Sequence, residues 1–345
     1  MKLATLRLDR PTTESERRDG RLALVDDVAG RVLPVPAAVA PNLLAALREW
    51  AVAEPRLRAL DKELKAGRAQ GSVPLAGCRF MAPLPRSTCW LDGSAYINHI
   101  ILVRKARGAE PPADLRTVPL LYQGASDPML GPNDAIEADE AWGPDLEAEV
   151  GVILDDVPRG TKAKDALAHV RLIVAMNDVS LRELIPRELA AGFGFFHGKP
   201  PTAFAPFAVT PDELGAAWKD GRVHLPMVSH VNGKPFGHPD AGPEMFFSFA
   251  QLVEHAAKTR PLPAGTVLGS GTVSNEDASK GFSCIAEVRM LETIQHGKPS
   301  TPYLRHGDTV RIEVLQDGRS VFGAIEQKVV PLAAAGGTGS VGTPR

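Results

Sequence analysis

Cysteine is scarce in this sequence of 345 residues, which contains only Cys78, Cys89 and Cys284. No two of them have the Cys-x-x-Cys spacing of a zinc or redox motif, and three cysteines are too few for a disulfide scaffold. Long apolar runs are also missing: no stretch approaches the roughly twenty residues that a transmembrane helix needs, and the N-terminus lacks the apolar core of a signal peptide. We therefore expect a protein of the reducing cytoplasm that has no membrane partner.

An excess of charge of one sign is missing as well. The 39 Lys and Arg residues nearly balance the 41 Asp and Glu residues, which leaves a net charge of −2. Nucleic-acid binding requires a basic excess, so we expect no nucleic-acid partner. Aromatic residues make up only 6% of the chain, whereas 32 Gly and 30 Pro residues favour turns and short strands over a helical bundle.

Hydrophobic periodicity predicts an α+β, mainly β fold rather than a βαβ alternation. We place a small β-rich N-terminal domain with helices at 1–75, a larger domain at 76–331 and a disordered tail at 332–345. Asn42 is the expected cap of a helix that Pro55 interrupts, and Asn232-Gly233 predicts a β-hairpin. Strands are predicted at 2–8, 21–26, 30–34, 98–104, 117–122, 145–154, 170–177, 204–209, 223–231, 266–271, 284–292, 309–315 and 321–329. Helices are predicted at 42–53, from there to about 65, and at 162–169, 210–213 and 248–258.

Glu147 and Glu149 stand two residues apart in the alternating run 145–154. Side chains two apart on a strand share a face, so the two carboxylates repel each other unless a proton or a cation lies between them. A second apolar run, 171–178, ends in Asp178. A Glu-x-Glu strand is most often the wet face of a sheet, and an Asp at a strand end is most often a turn residue. Together, however, the three acids indicate a divalent metal with oxygen ligands.

Further polar residues stand near these runs. Asp92 and His99 lie seven residues apart, and Glu287 lies on the run that is predicted as a late strand. Taken singly, His99 would be a hydrogen-bonded structural histidine, Lys199 a surface charge, and Arg182 a local ion pair of little energetic value. The remaining candidates are basic or hydroxyl-bearing residues spread over the larger predicted domain: Arg104, Arg107, Tyr122, Arg182, Lys199 and Thr272.

In combination these motifs resemble the fumarylacetoacetate hydrolase family over roughly residues 80–330. The resemblance rests on the Glu-x-Glu strand, Asn-Asp-x-Ser-x-Arg at 177–182, Gly-Lys at 198–199 and Ser-Gly-Thr-Val-Ser at 270–274, in the family's order. Asp92 and His99 also keep the interval between the family's first metal-binding Asp and its catalytic His. One departure is Glu183-Leu-Ile-Pro186, where the family's hydrolases carry a Gln.

The resemblance implies a role for each matching residue. His99 would be the general base, oriented by Glu287, or by another acid if Ala286 takes that family position. Arg104 is an alternative to Arg107. The metal ligands would be Asp92, Glu147, Glu149 and Asp178. The residues that bind substrate or stabilise charge would be Arg107, Tyr122, Arg182, Lys199 and Thr272, with Arg182 and Lys199 contributing to catalysis.

The resemblance also implies a fold and an activity. The fold would be a β-rich catalytic domain behind a small N-terminal domain, assembled as a homodimer. The activity would be metal-dependent hydrolysis of a carbon–carbon bond in a small 1,3-diketo acid. The first candidate is fumarylacetoacetate, cleaved to fumarate and acetoacetate in aromatic catabolism, with Mg²⁺ or Ca²⁺, or else Mn²⁺. The alternatives are an acylpyruvate hydrolase, a hydratase, decarboxylase or tautomerase of 2-oxo acids, and a non-catalytic protein that a metal stabilises.

Overall fold

The computed structural model describes residues 1–106, 110 and 113–333. In this part of the chain the helices, numbered in chain order, are α1 (Glu14–Asp19), α2 (Leu43–Arg48), α3 (Trp50–Lys65), α4 (Ile97–Ala106), α5 (Ala163–Ala166), α6 (Ile185–Ala191), α7 (Phe249–Ala256) and α8 (Ile285–His296). The strands are β1 (Lys2–Leu6), β2 (Arg21–Asp26), β3 (Arg31–Pro34), β4 (Val73–Pro74), β5 (Cys89–Gly93), β6 (Leu121–Gln123), β7 (Ile136–Glu137), β8 (Pro144–Asp145), β9 (Ala148–Leu154), β10 (Val170–Asn177), β11 (Ser180–Leu181), β12 (Ala203–Phe204), β13 (Phe207–Val209), β14 (Trp218–Lys219), β15 (Arg222–Val223), β16 (Met227–Val231), β17 (Lys234–Gly237), β18 (Thr266–Gly269), β19 (Thr309–Gln316), β20 (Arg319–Ser320) and β21 (Ile325–Val330). None of the helices among the described residues is long and apolar enough to cross a membrane.

One large sheet of 11 strands forms the body of the molecule. Its order is β4-β3-β2-β1-β13-β10-β9-β18-β5-β6, with β12 paired to β10. Its pairs are antiparallel except for β18 and β5, which run parallel. The first four strands come from the N-terminal 74 residues and enter the sheet through the pairing of β1 with β13. The sheet is therefore continuous across the predicted domain boundary at 75, and the division into domains stays a prediction.

A second sheet of six strands has the order β17-β16-β19-β21-β7 with β20 beside β19. It packs against the large sheet through β16 and β19, which contact β9 and β10. Asn232 and Gly233 join β16 to β17 with positive φ values of 52° and 70°, the backbone that a tight hairpin turn requires. The hairpin predicted at these two residues is confirmed. The mainly β α+β fold is confirmed as well.

Apolar side chains fill the space on both faces of the large sheet. Val150 and Val152 of β9 belong to one core, which includes residues of the second sheet, whereas Ile153 belongs to another, which includes residues of α2 and α3. Every residue of β9 is buried, because the strand is covered on both sides. A charged side chain on this strand is therefore buried as well, and it must find a partner or a cation.

Three expectations about local structure are wrong. Residues 98–104 and 284–292, predicted as strands, lie in the helices α4 and α8. Both runs contain β-branched residues, but the two helices pack against each other, and tertiary contacts of this kind override propensity. Pro55 does not interrupt a helix but lies inside α3, whose buried stripe includes Trp50, Leu57 and Leu64. The break lies instead at Glu49, between α2 and α3.

Candidate active site

Three acids meet on one face of the large sheet because of strand register. Trp90 in β5, Val267 in β18 and Met176 in β10 all belong to the core beneath α2 and α3. The residue two positions further along each strand lies on the same face. In β5 that residue is Asp92, in β18 it is Gly269, and after β10 it is Asp178. Glu149 of β9 completes the group, since it lies opposite Met176 in the pairing of β9 with β10. The carboxylates of Asp92, Glu149 and Asp178 place oxygen atoms within 4.8 Å of one another.

This group fits a divalent cation on two observations. Both carboxylate oxygens of Glu149 are buried and have no hydrogen-bond partner, a costly arrangement unless a cation or a proton compensates it. Gly269, between β5 and β9, leaves the space open. A Cβ atom there would lie 2.3 Å from Asp92 Oδ1 and 3.1 Å from Glu149 Oε2. Three carboxylates around such a space are the hard oxygen ligands that Mg²⁺, Ca²⁺ and Mn²⁺ prefer.

The pKa values of Asp92 and Glu149 reflect the crowding of these carboxylates. Burial, together with the charge of Asp178, raises the pKa of Asp92 well above its ordinary value. Burial also raises the pKa of Glu149, and Asp92 and Asp178 add to the effect. Without a cation, Asp92 and Glu149 resist losing their protons, because they are buried and their charges would repel each other and that of Asp178. A dication among them would favour the fully ionised form.

Glu147 lines the same pocket as Asp92 but does not belong to the group of three acids. Its Oε2 accepts a hydrogen bond from Lys199 Nζ at 2.5 Å, and its Oε1 accepts one from Arg182 at 2.7 Å. Burial opposes ionisation of Glu147, but the Lys199 ammonium and the Arg182 guanidinium outweigh it and lower the pKa of the carboxyl. The carboxylate therefore carries its charge inside the protein, and its role as a metal ligand stays a prediction.

Lys199 connects Glu147 to the group of three acids. Besides Glu147, its ammonium contacts Asp178 Oδ2 at 2.6 Å, and its side chain is only 7% exposed. Burial would lower the pKa of Lys199, but Asp178 and Glu147 raise it above the ordinary value. The Asp178 carboxylate also accepts hydrogen bonds from the Tyr122 hydroxyl at 2.6 Å and the Thr202 hydroxyl at 2.7 Å. Asp178 is thus held in one orientation by three donors.

Two helices bring a histidine and an acid together beside this group. His99, in the first turn of α4, places Nδ1 2.8 Å from Oε1 of Glu287, in the first turn of α8. Glu287 is buried, while the His99 side chain is 16% exposed and lines the same pocket as Asp92 and Glu147. The carboxylate fixes the ring orientation and leaves Nε2 as the free ring nitrogen.

The pocket above these residues has a volume of about 490 Å³. Tyr122, from β6, and Thr272, just after β18, line it, and their role in binding substrate stays a prediction. Arg104 lies on α4 and is exposed, and Arg107 lies outside the described residues. The apolar part of the wall consists mainly of Leu120, Leu121, Ile185, Pro186, Leu189, Phe195 and Met290.

Sequence reasoning missed three residues of this site. Asp145 is fully buried and accepts hydrogen bonds from Arg182 and from two backbone N–H groups of α8. Asp145 precedes Glu147 by two positions. Since side chains two apart on a strand share a face, the reasoning that pairs Glu147 with Glu149 also applies to Asp145. Gly269 had a signal too, since glycine inside a strand often marks a close approach. Thr202 had none.

Comparison with known proteins identifies the family to which the chain belongs. Residues 88–330 match the model of the fumarylacetoacetate (FAA) hydrolase C-terminal domain, and residues 1–86 match that of fumarylacetoacetase N-terminal domain 2. The chain is 26% identical over 234 residues to a 2,4-didehydro-3-deoxy-L-rhamnonate hydrolase of Sphingomonas sp. (strain SKA58), an alignment that covers 67% of this chain and 73% of the relative. It is 25% identical over 213 residues to an oxaloacetate tautomerase of Bacillus subtilis (strain 168), covering 61% and 66%.

Solved structures share the fold. The maleylpyruvate hydrolase of Sphingobium sp. SYK-6, solved with manganese(II) and pyruvate, superposes with a TM-score of 0.64 at 16% identity, over 96% of this chain and 100% of that one. The fumarylacetoacetate hydrolase of Exiguobacterium antarcticum gives 0.63 at 20% identity, over 96% and 99%. The two family models together account for nearly all of the described residues, and the chain belongs to the fumarylacetoacetate hydrolase family.

Proposed function

We propose that this protein hydrolyses a carbon–carbon bond of a 1,3-diketo acid with the help of a divalent cation. The observation that supports this best is the His99–Glu287 pair, since His99 lines the same pocket as Asp92 and Glu147. Relatives in the family include hydrolases and a tautomerase. Both reactions can pass through an enolate, but hydrolysis also needs a general base that deprotonates water. A histidine whose ring orientation is fixed can serve as that base.

Asp92, Glu149 and Asp178 would hold the cation, with Glu147 as a further candidate ligand. When bound there, a dication such as Mg²⁺, Ca²⁺ or Mn²⁺ would supply Lewis acidity that polarises a diketone. Tyr122, Thr202 and Lys199 keep Asp178 in place from the protein side.

His99 would accept a proton at Nε2 from the attacking water, and Glu287 would stabilise the resulting imidazolium through Nδ1. The hydroxyl adds to the carbonyl carbon, and the bond from that carbon to the central carbon breaks. The electron pair leaves with the central carbon as an enolate, which takes the proton back from the imidazolium. The products are a carboxylic acid and a ketone, and Lys199 and Arg182 offset the negative charge that develops in this buried site.

Two diketo acids are the first substrates to consider. Fumarylacetoacetate is the candidate that the family resemblance implies. An acylpyruvate with an apolar acyl chain is favoured by the pocket wall, where Leu120, Leu189 and Phe195 lie. Among the described lining residues, the Lys and Arg side chains are those of Lys199 and Arg182, and both are already ion-paired. A distal carboxylate would therefore find fewer partners there than an alkyl chain would.

The test uses purified protein, stripped of metal and resupplied with Mg²⁺, Ca²⁺ or Mn²⁺. Fumarylacetoacetate, several acylpyruvates and oxaloacetate are followed by ultraviolet absorbance, and the products are identified. We expect metal-dependent loss of diketone absorbance with at least one diketo acid. Stabilisation by metal without any turnover would instead support a purely structural metal site. Tautomerisation of oxaloacetate without cleavage of any diketo acid would assign the protein to the second reaction class.

The variant that separates these classes is His99→Ala. Hydrolysis should fall by roughly 10² or more because a general base is lost, while metal binding stays intact. His169→Ala is the matched control, since His169 pairs with Asp155 at 2.9 Å away from the pocket, and it should keep full activity.

A further inference from the structure

We infer that Asp145 is a positioning residue that holds the first turn of α8, and with it Glu287, against His99. The inference rests on the function proposed above, and it assigns a role to a residue that none of the sequence motifs includes. Asp145 lies at the end of β8 and is completely buried. It does not line the pocket, so any effect on the reaction must pass through its neighbours.

The N-terminus of α8 needs an outside partner. Its cap residue is Cys284, which makes no side-chain hydrogen bond to the first turn. The first N–H groups of a helix have no partner within the helix, and leaving them buried and unpaired is costly. Asp145 supplies what the cap does not: Oδ1 accepts from Ile285 N at 2.7 Å, and Oδ2 accepts from Ala286 N at 2.9 Å. The carboxylate also complements the positive end of the helix dipole.

Glu287 is the next residue after these two. Because the backbone of Ile285 and Ala286 is fixed by Asp145, the third residue of the helix is fixed as well, and its carboxylate lies 2.8 Å from His99 Nδ1. α8 also packs against α4, which carries His99. A shift of the first turn of α8 would therefore lengthen the Glu287–His99 contact directly.

The same carboxylate reaches the other half of the site. Asp145 Oδ2 also accepts from Arg182 Nε at 2.9 Å, and the other end of the guanidinium donates to Glu147. Glu147 in turn contacts Lys199, which contacts Asp178. A continuous series of ion pairs thus runs from the start of α8 to the acidic group, and Asp145 is the point where the two halves meet.

The sharpest perturbation is Asp145→Asn. Asp145 Oδ2 accepts hydrogen bonds from Arg182 and Ala286, whereas Oδ1 accepts one from Ile285 alone. An Asn whose oxygen keeps the Oδ2 position retains two contacts and turns its NH₂ group toward the Ile285 N–H, where a donor meets a donor. The change therefore acts mainly on the first turn of α8. We expect kcat to fall about tenfold or more, in the range typical of residues that orient a catalytic group, with KM and metal affinity nearly unchanged.

A double-mutant cycle with Glu287→Gln tests the route. If Asp145 acts through Glu287, the double variant should be no more than about threefold slower than Glu287→Gln alone, since the two changes remove one interaction. If the two single effects multiply instead, Asp145 acts independently and the inference is overturned. Asp19→Asn is the matched control: Asp19 is also buried and holds Arg86 at 2.6 Å in the N-terminal region, and its loss should lower Tm without changing kcat.

A second measurement does not depend on turnover. Amide hydrogen exchange at Ile285 and Ala286 should become at least about tenfold faster in Asp145→Asn, while the amides of α7 keep their rates. Unchanged exchange at these two amides would contradict the inference even if kcat fell. If the wild-type protein cleaves no substrate, the proposed function fails, and the exchange measurement still decides whether Asp145 holds α8.

Discussion

Gly269→Ala should weaken metal binding at least about tenfold, although Gly269 has no side chain that could bind a metal. Gly269 ends β18 between β5 and β9, and its register partners are Asp92 and Gly151. A methyl group at this position would lie 2.3 Å from Asp92 Oδ1, 2.7 Å from Trp90 Cη2 and 3.1 Å from Glu149 Oε2. Real Cβ contacts are almost never shorter than 3.0 Å, and the strand cannot retreat because it is hydrogen-bonded on both sides. The Asp92 carboxylate must therefore move.

The size of the effect follows from the contacts that give way. Trp90 is 1% exposed and packs edge-on against Phe204, so the indole has little freedom to shift. Overpacking of this kind costs about 1–3 kcal/mol of folding stability. The loss of one correctly placed carboxylate should weaken metal binding at least about tenfold, which is about 1.4 kcal/mol. At a metal concentration of 100 times the wild-type Kd, the stabilisation by metal should fall from about 2.7 to about 1.4 kcal/mol.

The assay is titration calorimetry with Mg²⁺ and Mn²⁺, combined with urea unfolding in the presence and absence of metal. Gly131→Ala is the control, since its Cβ would meet Phe80 O at 3.0 Å and Asp134 Oδ2 at 3.2 Å, tight contacts that involve none of the candidate ligands. The control should lose some stability and keep its metal affinity. A Gly269→Ala protein that binds metal as tightly as wild type would refute the placement of the cation between β5 and β9.

Three further outcomes are expected from the same contacts. Lys199→Met should lower the free energy of unfolding by about 3 kcal/mol in urea, because it leaves carboxylates without their buried cation, and added Mg²⁺ should recover part of the loss. Tyr122→Phe should reduce metal affinity by less than about tenfold, since it removes one of three donors to Asp178; calorimetry measures this. Burial would raise the pKa of Glu213, but the N-terminal ammonium and Lys65 favour the ionised form and keep the pKa below its ordinary value of 4.5. The stability that this carboxylate contributes is therefore present above pH 4.5 and is lost as the pH falls below it. In urea unfolding between pH 6 and 3, the free energy of unfolding should decline less steeply for Glu213→Gln than for the wild type. Equal slopes for the two proteins would contradict this.

The acidic group was the most predictable part of the site. Glu149 stands in an alternating run and Asp178 ends an apolar one, and strand periodicity alone places such side chains on a defined face. What the sequence does not reveal is which strands are neighbours. The approach of Asp92 to Glu149 requires β18 between β5 and β9, a pairing between segments that lie far apart in the chain, and no local pattern encodes it.

The histidine and its partner were predictable as residues but not as structure. Motif spacing identifies His99, and the family resemblance adds Glu287, but the composition of both segments predicts strands where the structure has helices. The run Ile-Asn-His-Ile-Ile-Leu-Val (97–103) has the composition of a buried strand, yet α4 forms because it packs on α8. A short apolar run cannot be assigned to helix or strand from periodicity alone. Helix capping depends on a local hydrogen bond, and here the prediction is confirmed: Asn42 caps α2 by accepting a hydrogen bond from Ala45 N.

The two halves of the site therefore have separate structural origins, and this bears on the reaction. The acidic group arises from the register of a continuous sheet and would serve any reaction that passes through a metal-stabilised enolate, whether hydrolysis or tautomerisation. The His99–Glu287 pair arises from two helices that pack beside that sheet, and it is needed only where a water must be deprotonated. A change in the packing of α4 on α8 could remove the hydrolytic step and leave the sheet intact. On the proposed function, the helices therefore decide between hydrolysis and tautomerisation, and Arg182 and Asp145 link these helices to the sheet.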